Sequence, residues 1–154
     1  MRVTAKGEYA TRAVLHLAAQ YPAVVTIGEI AASNRIPVKY LEQILRELRR
    51  GGLIASRRGV YGGYLLARDP SEISVGEVLR IADNRIIDSS CVQTNAERGF
   101  VCSDPHACGL KHVWNDVRAA VEKILFETSF ADVCARSERD GLSRARARLY
   151  ELQA

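Results

Sequence analysis

TIGEIAASNRIPVKYLEQILRELRRGGLIASRRGVYGGYLLA, running from Thr26 to Ala67, holds the order of elements that decides the fold. Thr26-Ile27-Gly28-Glu29 has the form of a capping box: a hydroxyl at the N-cap and a carboxylate three residues later. A short helix is predicted from it to about Ser33. Asn34-Arg35-Ile36-Pro37 reads as a turn, with Pro37 opening the next helix, where its missing N–H costs nothing. That helix, Val38 to Arg50, sets Leu41, Ile44, Leu45 and Leu48 on one face, and Gly51-Gly52 stops it. Two short strands, Leu53–Ser56 and Tyr64–Ala67, then flank Arg57-Arg58-Gly59-Val60-Tyr61-Gly62-Gly63, a glycine-rich hairpin tip.

Working outward, Ala10, Val14, Leu17 and Ala18 recur at helical spacing, so a first helix is expected from Thr4 to about Gln20, ended by Pro22. Ser74-Val75-Gly76-Glu77 is a second capping box, opening a helix to about Ala82. A polar, cysteine-bearing loop occupies about residues 88–110. From Lys111 to about Glu127, Val113, Val117, Ala120 and Ile124 repeat at three- and four-residue spacing, widened by Trp114, Val121 and Leu125. So wide a stripe calls for a partner, most economically the same helix of a second subunit. A short helix over Ser129–Arg136 and a frayed basic helix bearing Arg144, Arg146 and Arg148 complete the chain. The class is mainly α with a small β-hairpin wing: a winged helix-turn-helix plus a long dimerisation helix. Four regions are expected: a winged domain at 1–82, a cysteine-bearing sensor loop at 83–110, the dimerisation helix and short following helix at 111–136, and a tail at 137–154.

The net charge of +4 is unevenly spread. Residues 1–70 carry eleven Lys/Arg against five Asp/Glu, and the remainder eleven against thirteen. A basic first half fits either a nucleic-acid footprint or an ordinary solvated surface, and charge alone does not choose. No stretch approaches the roughly 20 apolar residues of a membrane span. Glu8, Tyr9 and Arg12 interrupt any signal-peptide core, which points to the cytoplasm. Four cysteines in that compartment argue for metal or redox chemistry over disulfides, with Cys134, in an apolar helical setting, set apart as a small core residue.

In a winged helix-turn-helix the second helix of the pair enters the major groove. Its exposed candidates are Lys39, Glu42, Gln43 and Arg46. Gln43 suits adenine, while Lys39 and Arg46 suit guanine or phosphate. Arg57 and Arg58 at the hairpin tip suit phosphate or a narrow minor groove. Tyr61 and Gly62 complete the wing set. A plain helix pair would bury Tyr40, Leu41, Ile44 and Leu45 equally well, so the pattern alone leaves that alternative open.

Tyr40-Leu41-Glu42-Gln43-Ile44-Leu45, Leu48-Arg49-Arg50-Gly51-Gly52-Leu53-Ile54, Arg58-Gly59-Val60-Tyr61-Gly62-Gly63-Tyr64 and Ile73-Ser74-Val75-Gly76-Glu77-Val78 together resemble the Rrf2-type transcription regulators, the family of IscR, NsrR and CymR. Thr4-Ala5-Lys6-Gly7-Glu8-Tyr9-Ala10 and the Val113-Trp114 helix start fit as well, so the resemblance spans about residues 1–135. It implies a homodimeric, non-enzymatic regulator, expected to act as a repressor, on a palindromic double-stranded DNA operator.

Cys91, Cys102 and Cys108 lie where IscR- and NsrR-like members hold an iron–sulfur cluster, and thiolates are its natural ligands. The resemblance therefore implies a cluster, with [2Fe–2S] preferred, through which redox, iron or nitric oxide status controls operator affinity. Cys102-x5-Cys108 matches that pattern, whereas the ten residues between Cys91 and Cys102 are more than the usual five or so. Three fourth ligands are open. The IscR-like histidine position holds Lys111, with His112 one residue on, while His106 lies between the second and third cysteines. Glu8 corresponds to an acidic ligand that some members supply from the first helix of the opposite subunit. The alternatives are a structural zinc site and a CymR-like regulator that works without a cluster through a partner protein or thiol oxidation. A thiol redox enzyme lacks support, with neither a C-x-x-C motif nor a βαβ pattern.

Overall fold

The computed structural model describes residues 3–83 and 109–151. Helix α1 (Ala5–Ala19) is capped by the Thr4 hydroxyl, which accepts from the Gly7 N–H. Its buried side, Ala10, Ala13, Val14, Leu17 and Ala18, is the periodic stripe read from the sequence and forms the centre of the core. Helix α2 (Ile27–Asn34) starts with the full capping box: Thr26 N–H donates to Glu29 at 2.8 Å, and Glu29 N–H donates to the Thr26 hydroxyl at 3.2 Å. The turn to α3 (Val38–Arg50) passes through Arg35, in the left-handed region at φ 54°. Pro37 stands one position earlier than expected, as the N-cap, with its carbonyl accepting from Leu41 N–H at 2.9 Å. Leu41, Ile44, Leu45 and Leu48 of α3 are buried against α1 and α2.

The helix ends in a Schellman arrangement. Leu53 N–H donates to Leu48 C=O at 3.1 Å and Gly52 N–H to Arg49 C=O at 3.0 Å, with Gly52 at φ 75°. Because Leu53 is committed to that cap, the first strand begins one residue later than expected. The antiparallel pair is β1 (Ile54–Arg57) and β2 (Gly63–Leu66), in register Ile54↔Leu66 through Arg57↔Gly63. Arg57 is therefore the last rung of the ladder and only Arg58–Gly62 form the tip. Val25, just before α2, adds a third edge: Val25 and Tyr64 exchange N–H···O bonds of 2.8 Å each. A side chain on Gly63 would place its Cβ 2.3 Å from Val25 C=O, so only glycine permits that approach. Gly63→Val is expected to destabilise the chain by about 1–3 kcal/mol through backbone displacement. Urea unfolding checks it, and an unchanged midpoint would refute the close packing.

One 3₁₀ turn (Pro70–Glu72), not foreseen from the sequence, leads to α4 (Val75–Asp83). Ser74 and Glu77 form the second capping box, Ser74 N–H donating to Glu77 at 2.9 Å. Burial opposes ionisation of Glu77, but the Ser74 backbone bond and Arg68, 3.0 Å away, outweigh it and hold the carboxyl below its ordinary 4.5. A depressed folded-state pKa adds stability above the unfolded value that disappears as pH falls through the folded one. Glu77→Gln should thus lower the melting temperature at neutral pH, and the gap should close in acid below pH 4.5. A gap that persists there would show that charge is not the cause.

Helix α5 is longer than expected, Gly109–Glu127, starting two residues before Lys111. The expected short helix and basic tail are one continuous helix, α6 (Phe130–Glu151), because no proline or glycine stop separates them and Gly141 is accommodated at the surface. Phe130 plugs the core, and its N–H donates to Ile73 C=O at 2.9 Å. Cys134 packs partly buried against that core, as its setting predicted, and burial pushes its thiol pKa up. The end of α5 is also anchored: Thr128 C=O accepts from Val75 N–H, and Arg80 lies 5.3 Å from the Phe126 ring centroid. Its earlier turns are open. Leu110, Val113, Trp114, Val117 and Ile124 are exposed along one stripe, Ile124 to 64 %. No described helix is long and apolar enough to cross a membrane.

Candidate nucleic-acid interface

Burying one face of α3 in the core fixes what its other face offers. Lys39, Glu42, Gln43 and Arg46 are all exposed, on the side away from Leu41, Ile44 and Leu45. Arg49 and Arg50 extend that face by one turn and were missed in the sequence reading. The signal was present, since residues 42, 46 and 49 or 50 continue the same helical row. Arg49 also donates to Ser56 in β1 at 3.0 Å, which ties the wing to α3. Arg57, Arg58 and Tyr61 are exposed on the wing, and Gly62 is half-buried in the turn. Among the described residues, Arg46, Arg50, Arg57 and Arg58 have no carboxylate partner, so their charge is open to phosphate.

Helix α1 backs this surface. Lys6 pairs with Glu47 of α3 at 2.6 Å, and the Tyr9 and Tyr40 rings meet edge to face at 5.8 Å. At the start of α1, Thr4 N–H donates to the Asp83 carboxylate at 3.2 Å, and the Thr4 hydroxyl donates to it too. Asp83, the last residue of α4, is thereby locked to the helix that supports the reading face.

Cys91, Cys102, His106 and Cys108 lie outside the described residues, while Glu8 and His112 can be placed. Among the described residues no group of three or more metal-binding side chains comes together. Glu8 is exposed, ion-paired to Arg12, and stands at the rim of an apolar groove of about 480 Å³ floored by Leu15, Leu79, Leu125 and Phe130. His112 is exposed in the first turn of α5, four residues after Cys108. Leu125 is thirteen residues beyond His112, or about 20 Å along the helix at 1.5 Å per residue. Glu8 thus shares a groove with the C-terminal part of α5, whereas His112 stands in the first turn of that helix.

The chain matches the family described as Rrf2, iron-dependent transcriptional regulator, over residues 3–136. It is 40 % identical over 134 residues to a Mycobacterium tuberculosis protein described as an HTH-type transcriptional regulator, covering 86 % of this chain and 81 % of that one. Its fold superposes on IscR of T. potens with a TM-score of 0.71 at 30 % identity, covering 91 % and 90 % of the two chains. It superposes on CymR, the global cysteine regulator of B. subtilis, with a TM-score of 0.73 at 27 % identity, covering 88 % and 98 %. The M. tuberculosis relative and CymR are both described as regulators.

Proposed function

The chain belongs to the Rrf2 family of transcriptional regulators, and from that premise we propose that it is a homodimeric repressor whose grip on a palindromic operator is set by an iron–sulfur cluster. The observation that carries this reading is where the thiols fall along the chain. Cys91, Cys102 and Cys108 lie in the segment that leaves α4 at Asp83 and returns at Gly109, the start of α5. Asp83 is bonded to Thr4 of α1, and α1 touches the reading helix through Lys6–Glu47 and Tyr9–Tyr40. The segment that bears the thiols is therefore joined through Asp83 to contacts that lead to α3, and through Gly109 to the exposed α5 stripe. A dimer reads half-sites at fixed spacing, so a small shift of that frame changes operator affinity.

The donor set fits the group. Three soft, anionic thiolates suit iron, and a [2Fe–2S] centre bound there supplies a redox- and nitric-oxide-sensitive iron site. His112 would complete it from the same chain as Cys108. Glu8 is the second option, supplied from the opposite subunit as in some family members, and Arg12 would then lose its present partner. His106 is the third option. The exposed α5 stripe supports the dimer, because monomers rarely leave so continuous an apolar surface in water.

Anaerobic reconstitution with iron and sulfide tests the reading: a brown protein whose operator affinity differs from that of the apo form is expected. His112→Ala should shift the visible bands, and identical spectra would transfer the role to Glu8 or His106. The CymR likeness favours a second reading, a cluster-free regulator answering to a partner protein or to thiol oxidation. Protein that stays colourless after reconstitution would decide for it.

A further inference from the structure

We propose that Val60 and Tyr61 form an apolar wedge at the tip of the wing that enters the minor groove and opens a flexible base step, so that the wing selects sequence as well as holding phosphate. The inference rests on the DNA-binding reading above and adds a specificity element to it. Val60 is 95 % exposed and Tyr61 91 %, beyond any other large apolar side chain of the described residues. They occupy the two central positions of a turn closed by Gly62 N–H donating to Gly59 C=O at 2.9 Å. Neither residue has a positive φ, so the turn places no backbone demand on either, and turns more often carry Gly, Asn, Asp or Pro there than a large apolar side chain.

Glycine carries the conformational demand on either side. Gly59 sits at φ 114°, and a Cβ on Gly62 would lie 2.5 Å from Arg57 C=O. The two side chains between them are thus free to be chosen for what they meet outside the chain. The tip is also held in place. The Val25–Tyr64 pair braces β2, and the Arg49–Ser56 bond fixes the wing to α3. Seating α3 in a major groove therefore fixes where the tip falls.

Charge identifies the occupant. Arg57 and Arg58 precede the apolar pair, separated from it by Gly59, and arginine near an apolar side chain matches a minor groove, whose negative potential draws guanidinium groups. Apolar wedges placed there part neighbouring bases, most easily at TA and CA/TG steps.

The test uses the full chain and a duplex enriched by it from a random-sequence pool, with 2-aminopurine placed in turn at the steps flanking each half-site. Binding should raise fluorescence at one step per half-site. The Val60→Ser/Tyr61→Ser double variant, with unchanged circular dichroism, should abolish that rise and bind about tenfold more weakly. Replacing the responding step by a stiff AA step should cost the parent chain about tenfold and the variant nothing. Arg58→Ala should instead keep the fluorescence rise and reduce the salt slope by about one. A parent chain that unstacks no step, or a double variant that still does, overturns the wedge while leaving DNA binding intact. Failure to enrich any duplex would overturn both.

Discussion

A chain carrying Val113→Asp and Val117→Asp is expected to run as a monomer and to lose about a thousandfold in operator affinity, falling to the level of non-specific binding. Both side chains are exposed in the single chain, Val113 to 53 %, so aspartate at either place breaks no internal packing. In a dimer seamed along α5, the same two carboxylates would be buried in an apolar interface without cations to pair them, which costs far more than the seam can absorb. Each freed monomer retains its reading helix and wing but meets only one half-site, and the second binding event is no longer intramolecular. Light scattering and fluorescence anisotropy on one sample check both halves of the expectation. A variant that stays dimeric with unchanged affinity would mean that α5 is not the seam.

The second large effect is spectroscopic. Cys108→Ser should leave the reconstituted protein without its visible absorption, because a serine hydroxyl is neither soft nor anionic at neutral pH. Cys108 is bonded directly to Gly109, the first residue of α5, so the substitution removes the thiol nearest the exposed α5 stripe. Operator affinity of the variant should equal that of the apo parent, whatever the sign of the cluster's effect. Iron content and absorption that match the parent would remove Cys108 from the ligand set. A variant that loses the colour yet binds the operator as the holo parent does would uncouple the cluster from control.

The basic face of α3 was legible because it follows from its opposite: once Leu41, Ile44, Leu45 and Leu48 are assigned inward, Lys39, Glu42, Gln43 and Arg46 must face out. Arg49 and Arg50 continue the same helical row and were legible there, whereas the Arg49–Ser56 bond, which crosses the glycine stop, lies beyond the reach of periodicity. The strand bounds slipped by one residue for a similar reason. The hydrophobic run starts at Leu53, yet its N–H is taken by the cap of α3 and only its carbonyl reaches across, accepting from Ala67 N–H at 3.0 Å, so the paired register starts at Ile54. The join of the expected short helix and tail into α6 was hidden by composition. An arginine-rich stretch resembles a frayed end, although arginine is a good helix former.

The starts of α2 and α4, the stop of α3 and the buried faces of α1 and α3 were set by the sequence alone, since capping boxes at Thr26 and Ser74, the Gly51-Gly52 stop and the spacing of apolar residues act within a few residues of one another. The tertiary structure decided what depends on distance through space. It braced the wing by pairing Val25 with Tyr64 and bonded Asp83 to Thr4 across 79 residues. It also put Glu8 beside the C-terminal part of α5, away from His112 in its first turn, and left the apolar stripe of α5 uncovered by the other described residues. Local hydrogen bonds and side-chain periodicity are written along the chain, whereas which surfaces meet, and which are left over for DNA or a second subunit, is fixed only when the whole core closes.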